Sequence, residues 1–355
     1  MNNNTDQILN VLFASNNEFS PYLGVSLYSL LKHNLHDFSE IKIFVFDDNI
    51  SEKNKNKINS IAHSFKSEIR YIKSKDIEQI IGEKTFAMYK DGVKSMTTYS
   101  RLFSSTLIPN VDKILYLDSD SLILNSFKDL WEMNFDEYSC AGVIDTLGIE
   151  YIKKEIDLQE KHNYVNGGFL KKKKKKWREN NIETEFMEFL KEHNKKFIFH
   201  DQGILNGVLK NEILYLHPKY NLLGQFHGID YEKAIKRAGY PNYYNKEIIE
   251  EAQKSPIFLH FCGGSIARPW KNMKHPFYGI YKNYYEKTPF KEEISANKEI
   301  TKKEQLIYSI YQSKLLTIII KCLPDSLSVK LANERIKKIC ENETENMLFN
   351  KNEDI

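Results

Sequence analysis

Residues 113–125 read KILYLDSDSLILN and carry the strongest signal for both fold and chemistry in this chain. Four apolar residues, 114–117, form a run of strand length, and Asp118 and Asp120 follow at its carboxyl end. Two carboxylates beside a buried strand repel each other and lose hydration, so they need a cation or strong hydrogen-bond donors. A divalent ion that is held by oxygen ligands and bridges to phosphates would meet this need. The alternative for this motif alone is a solvated turn with two aspartates.

The composition is that of a folded protein with little excess charge. The 355 residues suffice for one large or two ordinary domains, and the 41% of apolar residues can fill a core. The net charge of +3 is small for this length, so we expect no nucleic-acid partner. Four widely spaced cysteines without a CxxC pair are typical of reduced thiols in a cytosolic protein. With no signal-peptide pattern and no apolar stretch of membrane-spanning length, we expect a cytoplasmic protein.

Short apolar runs alternate with helical patterns through the first part of the chain. Strands are predicted at 8–15, 41–48 and 68–73. This alternation is typical of an α/β fold in which helices cover a largely parallel sheet. Ligands of such sheets bind beyond the carboxyl ends of the strands. We therefore expect Asn16, Asp47 and Asp118 to lie at one edge of the sheet.

Two further stretches combine polar residues or glycines with apolar runs. Arg101 stands at the head of an apolar helix predicted over 95–109, where it could meet a phosphate or a strand-end carboxylate, or simply face solvent. Residues 164–170, YVNGGFL, are an apolar segment interrupted by Asn166 and two glycines. Glycine inside a strand often marks the close approach of a ligand or another backbone, and a plain bulge is the alternative.

The second half contains two similar stretches. Residues 200–202, HDQ, open a predicted helix after a brief strand at 197–199, and Asp and Gln are ordinary helix caps. His260 lies in the apolar run PIFLHFCGG, where a lone histidine is typically a hydrogen-bonded core residue. The glycines and Arg268 that follow suit a loop that wraps phosphates.

The pattern changes from about residue 276, where tyrosines and lysines alternate. Residues 305–323 show helical periodicity, with apolar residues on one side and lysines on the other. Three interpretations are open for this helix: packing onto the rest of the protein, docking to a partner, or lying at a membrane surface with its basic residues near the lipid headgroups.

Several motifs occur in one order along the chain: PYLGVSLYSLL, TTYSRL, ILYLDSD, NGGFL, HDQGILN, and HFCGG followed by RPW. Over residues 8–275 this combination resembles glycosyltransferase family 8, retaining enzymes that use nucleotide sugars and include bacterial lipooligosaccharide galactosyl- and glucosyltransferases. The resemblance implies a GT-A fold, a Rossmann-like mixed sheet flanked by helices, over 1–275. From the change of pattern, we expect a helical extension over 276–355. The resemblance further implies a divalent metal (Mn²⁺ or Mg²⁺), a UDP-galactose or UDP-glucose donor and a glycan acceptor.

The resemblance also assigns roles to individual residues. The implied metal ligands are Asp118, Asp120 and His260. The residues implied to hold the uracil and ribose are Ala14 and Asn16, and those implied to contact the phosphates or the sugar are Asn166, Gly168, Gly263 and Arg268. The residues implied to act around the reacting sugar are Arg101, Asp201, which accepts from a sugar hydroxyl, and Gln202, which lies under the anomeric carbon. An amide is a poor nucleophile, so attack by the acceptor on the leaving-group face is favoured over a covalent intermediate.

The chain departs from the family pattern at three places. Asn16 and Glu18 replace the usual acid and amide near the uracil, and the HxxGxxKPW loop appears as HFCGGSIARPW, two residues longer and with arginine for lysine. Residues 171–174 are lysines where relatives continue an apolar strand. Inward-facing ammonium groups are costly unless they neutralise or snorkel, so we expect local disorder or reduced stability there.

Two rival functions are considered beside the transferase. A phosphatase of the haloacid dehalogenase type also uses DxD after a strand. Its motif has Thr or Val two positions after the second aspartate, where this chain has Leu122. A non-catalytic nucleotide-sugar-binding module would share the metal ligands but not turn over. Within the transferase reading, the acceptor could be a lipid-linked glycan of the cell surface or a glycan on a protein, and the tyrosine- and lysine-rich end favours contact with the inner membrane leaflet.

Overall fold

The computed structural model describes residues 7–73, 97–193, 200–240, 243–295 and 300–350. The strand predicted at 197–199 lies outside these residues. The strands are β1 (Ile8–Asn16), β2 (Glu40–Asp48), β3 (Ile69–Lys73), β4 (Lys113–Asp118), β5 (Ser121–Ile123), β6 (Cys140–Ile144), β7 (Val165–Lys173), β8 (Ile213–Tyr215), β9 (Leu222–Leu223) and β10 (Phe258–His260).

The α-helices cover both faces of the sheet and make up most of the C-terminal part. They are α1 (Ser20–Asn34), α2 (Glu52–Ser64), α3 (Thr97–Ser100), α4 (Ser104–Leu107), α5 (Lys128–Glu132), α6 (Glu150–Glu155), α7 (Lys174–Glu179), α8 (Ile182–Glu192), α9 (His200–Leu209), α10 (Tyr231–Ala238), α11 (Lys246–Lys254), α12 (Tyr278–Tyr285), α13 (Lys291–Ser295), α14 (Lys302–Gln312), α15 (Lys314–Lys321) and α16 (Asp325–Asn350).

The main sheet has seven strands in the order β3-β2-β1-β4-β7-β6-β8. Strand β7 runs antiparallel to β4 and β6, and the other neighbours are parallel. The predicted mixed α/β sheet is therefore confirmed. The central strand β1 is buried on both faces, because its alternate residues enter two apolar clusters: Phe13 joins one and Leu12 the other.

The register of the parallel strands gathers their carboxyl ends, as the sequence predicts. Ala14 on β1 pairs with Asp118 on β4, and Asn16 pairs with Asp48 on β2. Asp47 reaches the same edge, but its carboxylate binds the amine of Lys55 at 2.7 Å. Asp47 therefore supports the turn into α2.

A second, three-stranded sheet brings a distant segment to this edge. Strand β5 follows Asp120 directly and pairs antiparallel with β10, so that Ser121 lies opposite His260. The amide of Phe261 donates to the carbonyl of Asp120 at 2.9 Å. This pairing places the imidazole of His260 beside two aspartates about 140 residues earlier in the chain.

Of the lysines after the Asn-Gly-Gly motif, residues 171–173 belong to β7 and Lys174 begins α7, so the expectation of local disorder is wrong. Lys171, Lys172 and Lys174 are buried, and their amines donate to backbone carbonyls. Lys171 also lies over the Phe135 ring and Lys172 over the Trp177 ring. Carbonyl and aromatic contacts thus replace the lost water, which is why these side chains can point inward.

The segment predicted as one helix over 305–323 contains two, α14 and α15. Ser313 divides them because its Oγ accepts from the amide of Leu316 and caps α15. Tyr311 contacts the body of the protein, lying against Lys233 and Arg237 of α10. Six other apolar side chains of the two helices form a stripe that points away from the protein and is 47–69% exposed. The interpretation that this stripe packs onto the rest of the protein is therefore wrong. The members of the stripe are Leu306, Ile307, Ile310, Leu315, Ile318 and Ile319.

Candidate active site

Three predicted metal ligands meet at the carboxyl edge of the main sheet. Ligand atoms of Asp118, Asp120 and His260 lie within 4.8 Å of one another. Nε2 of His260 is 3.4 Å from Oδ1 of Asp120 and 3.6 Å from Oδ2 of Asp118. His260 is only 2% exposed, so it has the expected core position while its Nε2 also faces both aspartates.

The electrostatics of this group favour a cation. Burial alone would lower the pKa of His260, but the adjacent carboxylate of Asp120 outweighs it and raises the pKa above its usual value. Burial alone would raise the pKa of Asp120, but the contact with His260 outweighs it and lowers this pKa. Two carboxylates and one imidazole are a donor set that suits Mn²⁺ and similar divalent ions.

Gly168 on β7 leaves the space that this group needs. A Cβ atom at this position would lie 2.6 Å from Oδ2 of Asp118 and would overlap the His260 ring. Any residue with a side chain would therefore displace two of the three ligands. The absence of a side chain at Gly168 and the donor set together fit a bound divalent cation.

Arg101 links the metal group, which is the set of Asp118, Asp120 and His260, to the start of α9. Its Nε lies 2.7 Å from Oδ2 of Asp201, its Nη2 lies 3.2 Å from Oδ1 of Asp118, and its Nη1 donates to the carbonyl of Gly167 at 2.6 Å. The guanidinium carbon lies 4.6 Å from the centroid of the Tyr116 ring, whose hydroxyl donates to Oδ1 of Asp118 at 2.7 Å. Arg101 therefore orients both carboxylates, and Asp201 does more than cap its helix.

Gln202 is held from both ends of its amide. Its Oε1 accepts from the amide of Gly167 at 2.8 Å, and its Nε2 donates to Oδ2 of Asp145 at 3.1 Å. Asn166 also donates to Oδ2 of Asp145, at 2.8 Å, and accepts from the amide of Gly168. This network fixes the position of Gln202 next to the metal group.

The sequence analysis missed Asp145 and Tyr116. Asp145 directly follows β6, so it carries the signal that singled out Asp47 and Asp118, an acid at the end of an apolar strand. Tyr116 lies inside β4 and looks like a core aromatic in the sequence, although its hydroxyl contacts Asp118 and its ring lies against Arg101.

The family model described as glycosyl transferase family 8 matches residues 10–274. The chain belongs to glycosyltransferase family 8. A Haemophilus influenzae protein described as a glycosyltransferase is 29% identical over 220 residues, 61% of this chain and 63% of that protein, so the chain spans less than two thirds of this relative. The lipopolysaccharide 1,2-glucosyltransferase of Escherichia coli K12 is 23% identical over 82% of each chain.

Solved structures show the same fold. The galactosyltransferase LgtC, in complex with donor and acceptor sugar analogues, superposes with a TM-score of 0.63 and 22% identity over 84% of this chain and 99% of LgtC. This family 8 glycosyltransferase therefore has the expected GT-A fold, and membership of the family makes the haloacid dehalogenase alternative wrong.

The remaining predicted site residues of this family 8 member are Arg268, Gly263, Ala14 and Asn16. Nη2 of Arg268 lies 4.0 Å from Oδ2 of Asp120, and its buried Nε has no hydrogen-bond partner among the described residues. Gly263 has a φ of +113°, which side chains rarely adopt, and this allows the turn that carries Arg268 back to the site. The carbonyl of Ala14 accepts from Ser119, and Oδ1 of Asn16 accepts from the amide of Phe19 at 3.0 Å.

Proposed function

We propose that this chain transfers galactose or glucose from a UDP-sugar to a glycan acceptor, with retention of configuration at the anomeric carbon. The observation that carries the proposal is the convergence of Asp118, Asp120 and His260 on the space beside Gly168. The names of relatives that act in lipopolysaccharide synthesis support a cell-surface glycan as the acceptor. A glycan on a protein is the alternative acceptor.

The site residues divide the work of donor binding. Asp118, Asp120 and His260 would hold a Mn²⁺ or Mg²⁺ ion, which supplies Lewis-acid stabilisation of the leaving diphosphate when it is bound. Arg268 adds positive charge beside Asp120, where its unpartnered Nε suits a phosphate oxygen. The residues proposed to bind the rest of the donor are Ala14 and Asn16 for the nucleoside, Gly263 for the diphosphate loop, and Arg101, Asn166, Gly168 and Asp201 for the sugar and its phosphates.

Gln202 is proposed to lie under the anomeric carbon. Both ends of its amide are engaged, one by Gly167 and one by Asp145, so the group is oriented as a dipole and is a weak nucleophile. The acceptor hydroxyl then attacks on the leaving-group face. The new C–O bond forms as the bond to the diphosphate breaks, and the hydroxyl proton passes to the leaving UDP. The oxygen Oε1 of Gln202 stabilises positive charge on the sugar.

The test is a screen of UDP-sugars in the presence of Mn²⁺. Release of UDP from UDP-glucose or UDP-galactose, with a product of retained anomeric configuration by NMR, supports the proposal. Binding of UDP without turnover of any UDP-sugar, in the presence of candidate glycan acceptors, would instead support the non-catalytic binding module.

We further propose that residues 276–355 are an extension that rests on the inner face of the cell membrane. The stripe on α14 and α15 exposes six large apolar side chains next to Lys302, Lys303 and Lys314. Apolar side chains flanked by lysines suit insertion among anionic lipids. Among the described residues, no helix has both the length and the apolarity to cross a bilayer, so the contact proposed here is peripheral.

A further inference from the structure

The helix that carries Arg101 is interrupted at the residue where it reaches the site. Helix α3 ends at Ser100, a 3₁₀ turn spans Arg101–Phe103, and α4 begins at Ser104. In a continuous α-helix the carbonyl of Arg101 would accept from the amide of Ser105. Here the Ser105 amide donates to Oε1 of Glu183 at 2.6 Å, and the Arg101 carbonyl accepts from Nζ of Lys172.

Lys172 reaches this carbonyl from the centre of the main sheet. It is 0% exposed and pairs in register with Ile114 on one side and Cys140 on the other. Its Nζ also lies 5.2 Å from the centroid of the Tyr116 ring. The same ring lies against the guanidinium of Arg101, so Lys172 contacts both the backbone of Arg101 and the ring that supports its side chain.

Glu183, at the start of α8, accepts hydrogen bonds from the residues that follow the interruption. Besides Ser105, it accepts from the amide of Thr106 at 3.1 Å and from the Thr106 hydroxyl. A carboxylate that accepts three donors from one turn fixes that turn firmly. Lys172 and Glu183 thus take the two backbone groups that a regular helix would have paired with each other.

We propose that Lys172 and Glu183 are positioning residues that keep this helix interrupted and thereby direct the guanidinium of Arg101 at Asp118 and Asp201. Arg101 touches both carboxylates only because its backbone leaves the α-helical path. The inference rests on the proposed function only for its kinetic consequence, since the position of Arg101 can be measured by itself.

The chain offers a matched control for Lys172. Lys171 is its neighbour on the same strand and is equally buried, but it faces the opposite side of the sheet and donates to the carbonyls of Leu130 and Met133. Lys171→Met and Lys172→Met each remove one buried amine of the same size. Only the second removes the contact to Arg101.

The experiment compares crystal structures and kinetics of these two variants and of Glu183→Ala. In Lys172→Met and Glu183→Ala, the 2.7 Å contact between Arg101 and Asp201 is expected to be lost, and kcat for UDP release is expected to fall at least about tenfold, the cost of a misplaced site group. The affinity for UDP itself should fall less than kcat, because Arg101 contacts only one of the three proposed metal ligands, Asp118. Lys171→Met should retain the contact and the parental kcat.

The outcomes separate the two proposals. An unmoved Arg101 and a parental kcat in both Lys172→Met and Glu183→Ala would overturn the inference. A parent chain that releases no UDP would overturn the proposed function, while the crystal structures would still decide the positioning role. If Lys172→Met does not fold, Glu183→Ala decides, because Glu183 lies at the edge of the core and its loss leaves the sheet intact.

Discussion

His260 shows how one side chain can satisfy two opposed interpretations. It lies in an apolar strand and is buried, as a core histidine would be, yet its Nε2 faces two carboxylates. The pairing of β10 with β5 produces this arrangement, because it sets the strand that contains His260 directly beside the DSD motif. Residue type and local hydropathy alone did not distinguish a packed imidazole from a ligand.

Removal of one metal ligand should abolish metal-dependent UDP release without unfolding the protein. We expect Asp120→Asn and His260→Ala each to lower kcat at least about 100-fold, because each removes a ligand atom of the proposed cation. The circular dichroism spectrum should match that of the parent. Asp136→Asn, at a carboxylate with a 74% exposed side chain, is the control and should keep parental activity. Retained activity in both ligand variants would show that the site lies elsewhere.

Gly168 gives a test that depends on shape alone. Gly168→Ala adds a Cβ within 2.6 Å of Oδ2 of Asp118, so we expect weaker Mn²⁺ binding by calorimetry and loss of UDP release. Gly279→Ala is the matched control, because a Cβ there meets nothing within 4 Å. It lies in α12, where alanine should stabilise the helix by roughly 0.5–1 kcal/mol. Parental Mn²⁺ affinity in Gly168→Ala would contradict the assignment.

Strand β7 and the first residue of α7 place three lysine amines in the interior, and burial lowers the pKa of each. Burial lowers the pKa of Lys171, Lys172 and Lys174 to about 7 each. The charged groups around Lys172 are Arg101, Glu183 and Asp201, with the Cys140 thiol as a further titratable neighbour. Reduced stability, the second expected outcome for residues 171–174, stays a prediction, and the direction of its pH dependence follows from these pKa values.

Thermal stability should rise with pH between about 7 and 9. In the unfolded chain these lysines titrate near 10.5, so in this window the unfolded state binds more protons than the folded state, and deprotonation favours folding. Below pH 7 the amines are charged in both states and their full desolvation penalty remains. We expect Tm, measured by calorimetry, to increase by at least about 5 °C over this range.

Replacement of residues 171–174 by Leu-Ile-Asn-Leu is the control for this effect. The variant should melt at a higher temperature than the parent at pH 7, and its Tm should be nearly constant between pH 7 and 9 because the buried amines are gone. No gain in Tm would contradict the idea that the lysines weaken β7. Loss of Lys172 in this variant should also reduce UDP release.

At the scale of the whole molecule, the C-terminal helices differ in how they dock: α12, α13 and α16 bury apolar side chains such as Tyr281, Ile294 and Ile336, whereas α14 and α15 leave most of theirs exposed. Amines of α10 also contact these helices: Lys233 donates to the carbonyl of Tyr311, and Lys236 pairs with Asp325. Gly239, with a φ of +66°, ends α10 against Ala332 of α16. The exposed stripe on α14 and α15 thus stays available on a firmly attached part of the protein.

The exposed stripe should bind anionic membranes. We expect the protein to sediment with vesicles rich in phosphatidylglycerol and to be released by high salt. Leu315→Ser together with Ile318→Ser should weaken this binding about tenfold or more, because the double variant has less apolar area to bury in the membrane. Met273→Ser is the control, since Met273 is equally exposed at 56% but lies outside the stripe. Equal sedimentation of all variants would contradict membrane contact.

Local sequence determined the elements that depend on near neighbours in the chain. The alternation of strand and helix and the acids at strand ends follow from local sequence patterns, which act over a few residues. The order of the motifs further determined the family, and with it the three candidate metal ligands.

Only the tertiary structure decided which groups meet across the sheet. It joined Asp145 to Gln202, turned Lys172 toward the carbonyl of Arg101, and faced the apolar stripe of α14 and α15 outward. Periodicity reports that a helix or strand has two faces, but the choice of the face that packs depends on partners far away in the chain. The desolvation of a lysine or an acid is likewise set by those partners. For that reason the burial of the Lys171, Lys172 and Lys174 amines could not be predicted from their own segment.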